Sequence, residues 1–476
     1  MTAKRDRRIA IVGGGFAGSL LALRLAGKAG PAPILIEARP KAGPGLAYGA
    51  AEPNHALNVT VERMDVGLTP AFHDWLGAYP LETAEAVGEA GALAQAYVPR
   101  WLFGRYMAER VEAAVEAGHV SRVVGEVTGI RKGTTSYALT LADGRRIEAE
   151  EVVLATGHLP PRPPAVMSSD GGELKGAKAF IADPWAPGAL QTIRDDAPIL
   201  LIGSGLTAVD VVLALQARGY GNTIHLLSRK GLLPRVHLTG GTWPSFTAGA
   251  IGRSPVHILQ LFRAELAAAR WRGIPWQRVV DAMRPDIARI WSAWDEKARG
   301  RFLRHGRTLW DVHRHRMPPR IANRLIGLMD SRRLCCHAGR LASFEANGQV
   351  GLVSIGLRRS RDLRQIQVGH VINCTGPAGN YAEVDLPLFR DLRRQDLIKA
   401  DALHLGITTH DTRVVDAGGN EVPGLYALGS LTRPAWWEIT AVPDIAVQVS
   451  RLAAHWLEPD PADRPARAGA VAGLES

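Results

Sequence analysis

The stretch Ile9-Ala10-Ile11-Val12-Gly13-Gly14-Gly15-Phe16-Ala17-Gly18 decides how the rest of this chain is read. Four apolar residues of buried-strand type run into a glycine turn, and Leu20, Leu21, Leu23 and Leu25 continue in a helical pattern. Gly13 permits the tight turn, Gly15 lets the backbone approach a pyrophosphate, and Gly18 lets helix and strand pack closely, with the phosphates at the helix N-terminus. The next apolar strand, Ile34-Leu35-Ile36, ends in Glu37, close to the ~20-residue spacing of a ribose-binding acid. A carboxylate there accepts hydrogen bonds from ribose hydroxyls and repels a 2′-phosphate, which favours FAD or NAD over NADP.

The pattern returns at Ile199-Leu200-Leu201-Ile202-Gly203-Ser204-Gly205-Leu206-Thr207-Ala208. Here the third small residue is Ala208, and the following strand, Thr223 to Leu227, ends in Ser228-Arg229-Lys230 instead of an acid. A guanidinium at that position pairs with a 2′-phosphate, so Gly203, Gly205 and Arg229 point to NADPH, with NADH the alternative reductant. The competing reading is that Arg229 and Lys230 merely cap an exposed strand end. Two strand sets, Val127 to Gly157 and Val350 to Gly376, each close on Thr-Gly and bracket the second turn. The expected fold is therefore α/β with two Rossmann-like dinucleotide-binding folds. Residues 1–158 and 377–458 form a split FAD domain, 159–376 an inserted NAD(P)H domain with a helical insertion at about 254–320, and 459–476 a loose tail.

The composition suits this reading. With 476 residues, 46% hydrophobic and 22% charged, the chain can bury a large core and is neither disordered nor fibrous. Three cysteines without a CxxC pair disfavour a disulfide framework or a dithiol reductase and suggest a reducing, cytoplasmic setting. The net charge of +11 suits nucleic acid, a phosphate-bearing cofactor or an anionic small molecule; no recognised nucleic-acid module supports the first. Lys4, Arg5, Arg7 and Arg8 before an apolar stretch imitate a targeting signal, but the glycines interrupt it and no membrane span is expected.

Within the insertion, Ile287, Ile290, Trp291 and Trp294 follow helical spacing, and Trp271, Trp276, Trp291, Trp294 and Trp310 are expected to form a small core. Residues 304–316 are rich in arginine and histidine. His313 and His315 as metal ligands are opposed by neighbouring arginines, so no metal site is assigned; a nucleic-acid patch, a solvated helix face and an anion-binding wall are the other readings.

Further marks are Gly45-Leu46-Ala47-Tyr48, His55-Ala56-Leu57-Asn58-Val59, Pro99-Arg100, Ala155-Thr156-Gly157-His158, Leu233-Pro234-Arg235-Val236-His237 and Trp436-Trp437-Glu438-Ile439-Thr440-Ala441-Val442-Pro443-Asp444. In these the chain, from about residue 9 to 457, resembles the FAD/NAD(P)-binding flavoproteins that include FAD-dependent urate hydroxylase and L-aspartate N-monooxygenase. It departs from better-known N-hydroxylating enzymes where their FxGxxxHxxx(Y/F) fingerprint is replaced by Phe180-Ile181-Ala182-Asp183-Pro184-Trp185, and Gly429-Ser430 stands where Gly-Asp is common.

The resemblance implies a monooxygenase in which NADPH reduces FAD and a flavin C4a-(hydro)peroxide hydroxylates a small, polar, nitrogen-containing substrate; the basic charge balance and the cationic segment favour an anion, urate-like by preference or an amino acid. Substrate and O2 are then the partners, with no nucleic acid or membrane. It further implies that Gly13, Gly15, Gly18, Glu37 and Gly429 hold FAD. Asn58 lies beside the flavin, unless it only forms a turn. Glu438 orients substrate, unless it caps a helix or sits in a salt bridge, and Arg100 contacts an anion, unless it is a surface arginine. The rival readings are a flavin reductase passing electrons to a protein or quinone without oxygen insertion, and a non-catalytic redox sensor.

Overall fold

The computed structural model describes residues 7–28, 30–50, 52–164, 179–347 and 350–458; the expected tail and Lys4 and Arg5 lie outside them. Two seven-stranded sheets dominate. The first runs in the order Thr409–His410, Arg413–Val415, Glu421–Ala427, Glu151–Leu154, Ile9–Val12, Ile34–Glu37, Ser121–Val124. Its last five strands are parallel, and the first three pair antiparallel. The second runs Leu363–Val368, Val350–Leu357, Leu334–Asn347, Ile224–Ser228, Ile199–Ile202, His370–Asn373, Phe180–Ile181. A three-stranded antiparallel sheet, Val127–Lys132, Tyr137–Leu141 and Arg146–Ala149, covers the first. The first sheet thus takes strands from both ends of the chain, and the second only from its middle.

Alternation explains the layering. Ile9, Ile11, Leu35 and Val153 face the helices Phe16–Leu25, Arg100–Glu116 and Val442–Leu457, while Ala10, Val12, Ile36, Val152 and Leu154 face the small sheet and the helix Pro387–Arg394. Because both faces are covered, these strands read as continuous apolar runs. The second sheet repeats the scheme, with Ile199, Leu201 and Ile224 on one face and Leu200, Ile202 and Leu227 on the other.

Between the second glycine turn and the strand Leu334–Asn347 lie the helices Pro255–Trp271, Trp276–Ala282, Ile287–Ser292, Glu296–His305, Arg307–Arg314 and Pro319–Asp330. Ile287, Ile290, Trp291 and Trp294 are buried together, as their spacing predicts. Trp271 corrects the expectation of a five-tryptophan core, being 88% exposed. It lies thirteen residues from Ile258, one of two buried residues in its helix, and at ~100° per residue that turns it to the opposite side. The insertion docks on the C-terminal segment, where Trp437 stacks on Trp291 at 4.6 Å and 22°, and Trp291 donates to the Pro434 carbonyl at 2.7 Å.

Candidate cofactor and substrate site

The two glycine turns are built alike. Gly13 and Gly203 have φ of +108° and +120°, where only glycine is unstrained. Their N–H groups donate to the carbonyls of Ile36 and Leu227, each at 2.8 Å. A Cβ on Gly13 would stand 2.3 Å from the Ala155 carbonyl, and one on Gly203 2.2 Å from that of Cys374. Each turn is thus wedged under the end of the strand that runs into Thr-Gly, which is why the two Thr-Gly endings recur. Gly18 is held as tightly, its added Cβ falling 2.0 Å from the Gly13 carbonyl; Ala208 occupies the equivalent place fully buried.

The third position of each turn is different. Gly15 and Gly205 have ordinary φ of −72° and −82°; an added Cβ meets only Gly45 Cα, at 3.4 Å, in the first case and nothing within 4 Å in the second. Packing does not demand glycine there. Both residues face cavities, so the missing side chain leaves backbone N–H groups open to a ligand.

The first cavity, about 460 Å³, runs from Glu37 and Glu126 past Gly13 and Gly15 to Gly429 and Thr440. Glu37 is buried: its Oε2 accepts from Gly14 N–H at 2.7 Å, and its Oε1 accepts from the Arg39 N–H at 3.0 Å and Nε–H at 2.8 Å. These bonds fix the carboxylate at one end of the cavity. Gly429, at φ +68°, closes the other end, its N–H donating to Gln448 Oε1 at 2.8 Å. A cleft with glycine backbone along its wall, an acid at one end and the Gly429 turn at the other fits FAD.

The second cavity, about 470 Å³, lies between Gly205, Asn58 and the helical insertion. Leu46, Ala47, Tyr48, His158 and Thr440 line both cavities, so the two share a wall. Asn58 lines the second, and its backbone carbonyl accepts from His237 Nε2 at 3.0 Å, which ties the Leu233 to His237 segment to the first sheet's domain. Burial, reinforced by Arg316, pushes the His237 pKa down to about 4.

Arg100 and Glu438 also line this cavity, but their charges are met within the protein. Arg100 grips Asp210 through two nitrogens at 2.8 and 3.3 Å and donates to the Ala56 carbonyl at 3.3 Å. It therefore bolts the helix Leu206–Ala217 to the first sheet's domain instead of offering a free cation to an anion. Glu438 accepts from Trp310 Nε1 at 2.7 Å and pairs with Arg314 at 3.1 Å; Arg314 reaches Asp444 at 3.7 Å. The salt-bridged alternative holds for Glu438, with the carboxylate on the cavity wall. Burial pushes its pKa up, but His315, Arg314 and the Trp310 bond outweigh burial and leave it below the ordinary value. Arg229 stands exposed just past the strand Ile224–Ser228, outside the residues lining either cavity.

Three cavity residues had no role assigned from sequence. His158, quoted only as part of a motif, faces both cavities; burial and then Arg433 lower its pKa. His315, in the cationic segment, lines the second cavity, and its pKa is lowered mainly by burial. Arg433 lines the same cavity, its guanidinium 4.6 Å from the Trp437 ring centroid. The cationic segment is accordingly mixed: Arg314 and His315 face inward, while His313 bonds the Leu309 carbonyl at 2.7 Å at the surface. Among the described residues no three His, Cys, Asp or Glu converge as metal ligands, and no helix is long and apolar enough to cross a membrane.

Comparison with known proteins agrees with this layout. Residues 10–159 match the FAD-NAD(P)-binding family. An L-aspartate N-monooxygenase (nitrosuccinate-forming) of Streptomyces davaonensis is 29% identical over 219 residues, covering 42% of this chain and 31% of that protein. The match thus spans about a third of that relative. Among solved structures, the FAD-bound cadaverine monooxygenase of Erwinia amylovora superposes with a TM-score of 0.66 at 11% identity, covering 96% of this chain and 95% of the other. The ornithine N-hydroxylase of Kutzneria sp. 744, solved with reduced FAD, NADP+ and L-ornithine, gives 0.62 at 14% identity over 95% and 99%. The fold is shared with these enzymes, and the stretch that matches the FAD-NAD(P)-binding family, residues 10–159, contains the glycine turn and the buried Glu37 that line the first cavity.

Proposed function

We propose that this protein is an FAD-dependent, NADPH-using monooxygenase that hydroxylates the nitrogen of a small, anionic, amino-acid-like substrate. The observation that carries the reading is the shared wall: one side chain, His158, faces both the cavity that fits FAD and the cavity running from the second glycine turn. A nicotinamide and a substrate in the second cavity would both reach the first. In this reading residues 1–158 and 377–458 hold FAD through Gly13, Gly15, Gly18, Glu37 and Gly429, and residues 159–376 hold NADPH through Gly203, Gly205 and Arg229. When bound and reduced, FAD supplies activated oxygen.

The chain's own residues do the rest. The insertion, stacked on Trp437, contributes Asp311, Val312 and His315 to the wall of the second cavity. In this reading Asn58, which lines the same cavity, lies beside the flavin. An ammonium nitrogen carries no lone pair and must lose a proton before it is hydroxylated; His158 and His315, both on the wall of the second cavity, would each offer a ring nitrogen to accept it. Of the two substrate kinds expected from sequence, the matched aspartate enzyme and the amine-hydroxylating fold relatives support the amino acid over urate.

The test is to mix FAD-loaded protein with NADPH without oxygen, then admit oxygen with a panel of amino acids, diamines and urate. Bleaching of the flavin by NADPH, followed by an N-hydroxylated product from an amino acid, is expected. Bleaching followed by electron transfer to a quinone or protein, with no hydroxylated product, would instead identify a reductase.

A further inference from the structure

Arg433 is a cavity cation held by an aromatic surface. It opens the short helix Arg433–Trp436 that follows the turn Gly429–Thr432. Its guanidinium lies over Trp437, and Trp437 is itself fixed by stacking on Trp291. The two acids that feel its charge each have another cation beside them: Glu438, whose Oε1 accepts from Trp310, is ion-paired with Arg314 though its Oε2 accepts no hydrogen bond, and Asp311 pairs with Arg307 at 3.3 Å. Arg433 Nε is buried without a hydrogen-bond partner. Burial, aided by Arg307, pushes its pKa down to about 10, the direction expected of a cation lacking an anion. A guanidinium is planar and can receive a carboxylate through two parallel bonds.

We propose that Arg433 is the anchor for a substrate carboxylate in the second cavity, and that the substrate is therefore a small carboxylic acid bearing an amine, not a simple diamine. This rests on the monooxygenase reading for the identity of the ligand as substrate. A carboxylate bridging to Arg433 neutralises the unpaired charge and leaves the amine free to lie near His158 and His315, which share the cavity wall. His158 is close enough to Arg433 for the two to interact electrostatically, so anchor and proton acceptor belong to one constellation.

The anchor is tested by binding alone. Succinate, which has no amine to be hydroxylated, and its uncharged counterpart succinamide are titrated into FAD-loaded, oxidised protein, with tryptophan fluorescence or calorimetry as readout. The wild type is expected to prefer succinate by about tenfold or more, the scale of a lost charge-assisted hydrogen-bond pair. Arg433→Met should lose that preference, and Arg433→Lys, which keeps the charge over Trp437, should keep part of it. FAD content and NADP+ affinity should stay within about twofold of wild type in both variants, by the same scale. Equal succinate binding by wild type and Arg433→Met, no preference in the wild type, or loss of FAD or NADP+ from both variants would overturn the proposal, the last by giving the guanidinium to a cofactor. If the succinate preference depends on Arg433 but no amine yields a hydroxylated product, the anchor stands and the monooxygenase reading falls.

Discussion

Gly13→Ala and Gly15→Ala, two residues apart, should fail in opposite ways. At Gly13 a methyl group would sit 2.3 Å from the Ala155 carbonyl oxygen in a backbone at φ +108°. The left-handed conformation alone costs ~1–2 kcal/mol, and relieving the overlap moves the strand Glu151–Leu154 away from Ile9–Val12. A total of at least ~2–3 kcal/mol, or several degrees in Tm at ~2–4 °C per kcal/mol, is expected in the FAD-free protein. At Gly15 the backbone is ordinary and the nearest atom is Gly45 Cα at 3.4 Å, so stability without FAD should change by no more than ~0.5 kcal/mol. The methyl would instead stand where a pyrophosphate approaches, and FAD affinity should fall by roughly tenfold to a hundredfold, or ~1.4–3 kcal/mol. Gly205→Ala should do the same to NADP+ and spare FAD. The assays are thermal unfolding of the FAD-free protein and fluorescence titration with each cofactor. Unchanged FAD affinity in Gly15→Ala would take the phosphates off this turn and refute the reasoning.

Other perturbations probe separate parts of the structure. Arg229→Ala should weaken NADPH relative to NADH by ~1–3 kcal/mol, the scale of a charged hydrogen bond; equal weakening of both in steady-state kinetics would remove the 2′-phosphate role. Arg100→Met leaves the buried Asp210 carboxylate uncompensated and should cost ~3–5 kcal/mol in denaturant unfolding, whereas Arg100→Met with Asp210→Asn should recover much of that. Burial, with His337 and Arg364 adding to it, lowers the His225 pKa to about 4. Between that value and the ordinary ~6.5 the unfolded chain binds the extra proton, so this contribution is full above pH ~6.5 and is lost as pH falls toward 4, on the order of 3 kcal/mol. His225→Phe should flatten that acid limb of stability against pH, and an unchanged limb would assign it to other groups.

Much of the frame was legible because glycine chemistry is local. The turns at Gly13 and Gly203 announce themselves through residues adjacent in sequence, and the Thr-Gly endings mark the strands those glycines lie under. The long strand Leu334–Asn347 escaped notice because it does two jobs. It pairs parallel with Ile224–Ser228 through Ala338 and antiparallel with Val350–Leu357 from Gly339 on, so no single pattern spans it. The second cavity was legible only in pieces. Arg100 and Glu438 sit in stretches shared with the flavoprotein family, yet whether a charge is free depends on partners as distant as Asp210 and Arg314. Arg433 and His158 are brought onto one cavity from opposite halves of the chain; His158 stands out only as the end of a motif, and Arg433 carries no local signal. Trp271 shows the converse: a tryptophan in a tryptophan-rich segment reads as core until the helix face is known.

The central claim is that oxygen from O2 ends on a substrate nitrogen at the expense of NADPH. FAD-loaded protein, NADPH and a panel led by L-aspartate, under 18O2, should give one singly 18O-labelled hydroxylated amine per NADPH consumed in the first oxidation. NADPH consumption matched by hydrogen peroxide or by a reduced acceptor, with no label in any amino acid or in urate, would contradict the account.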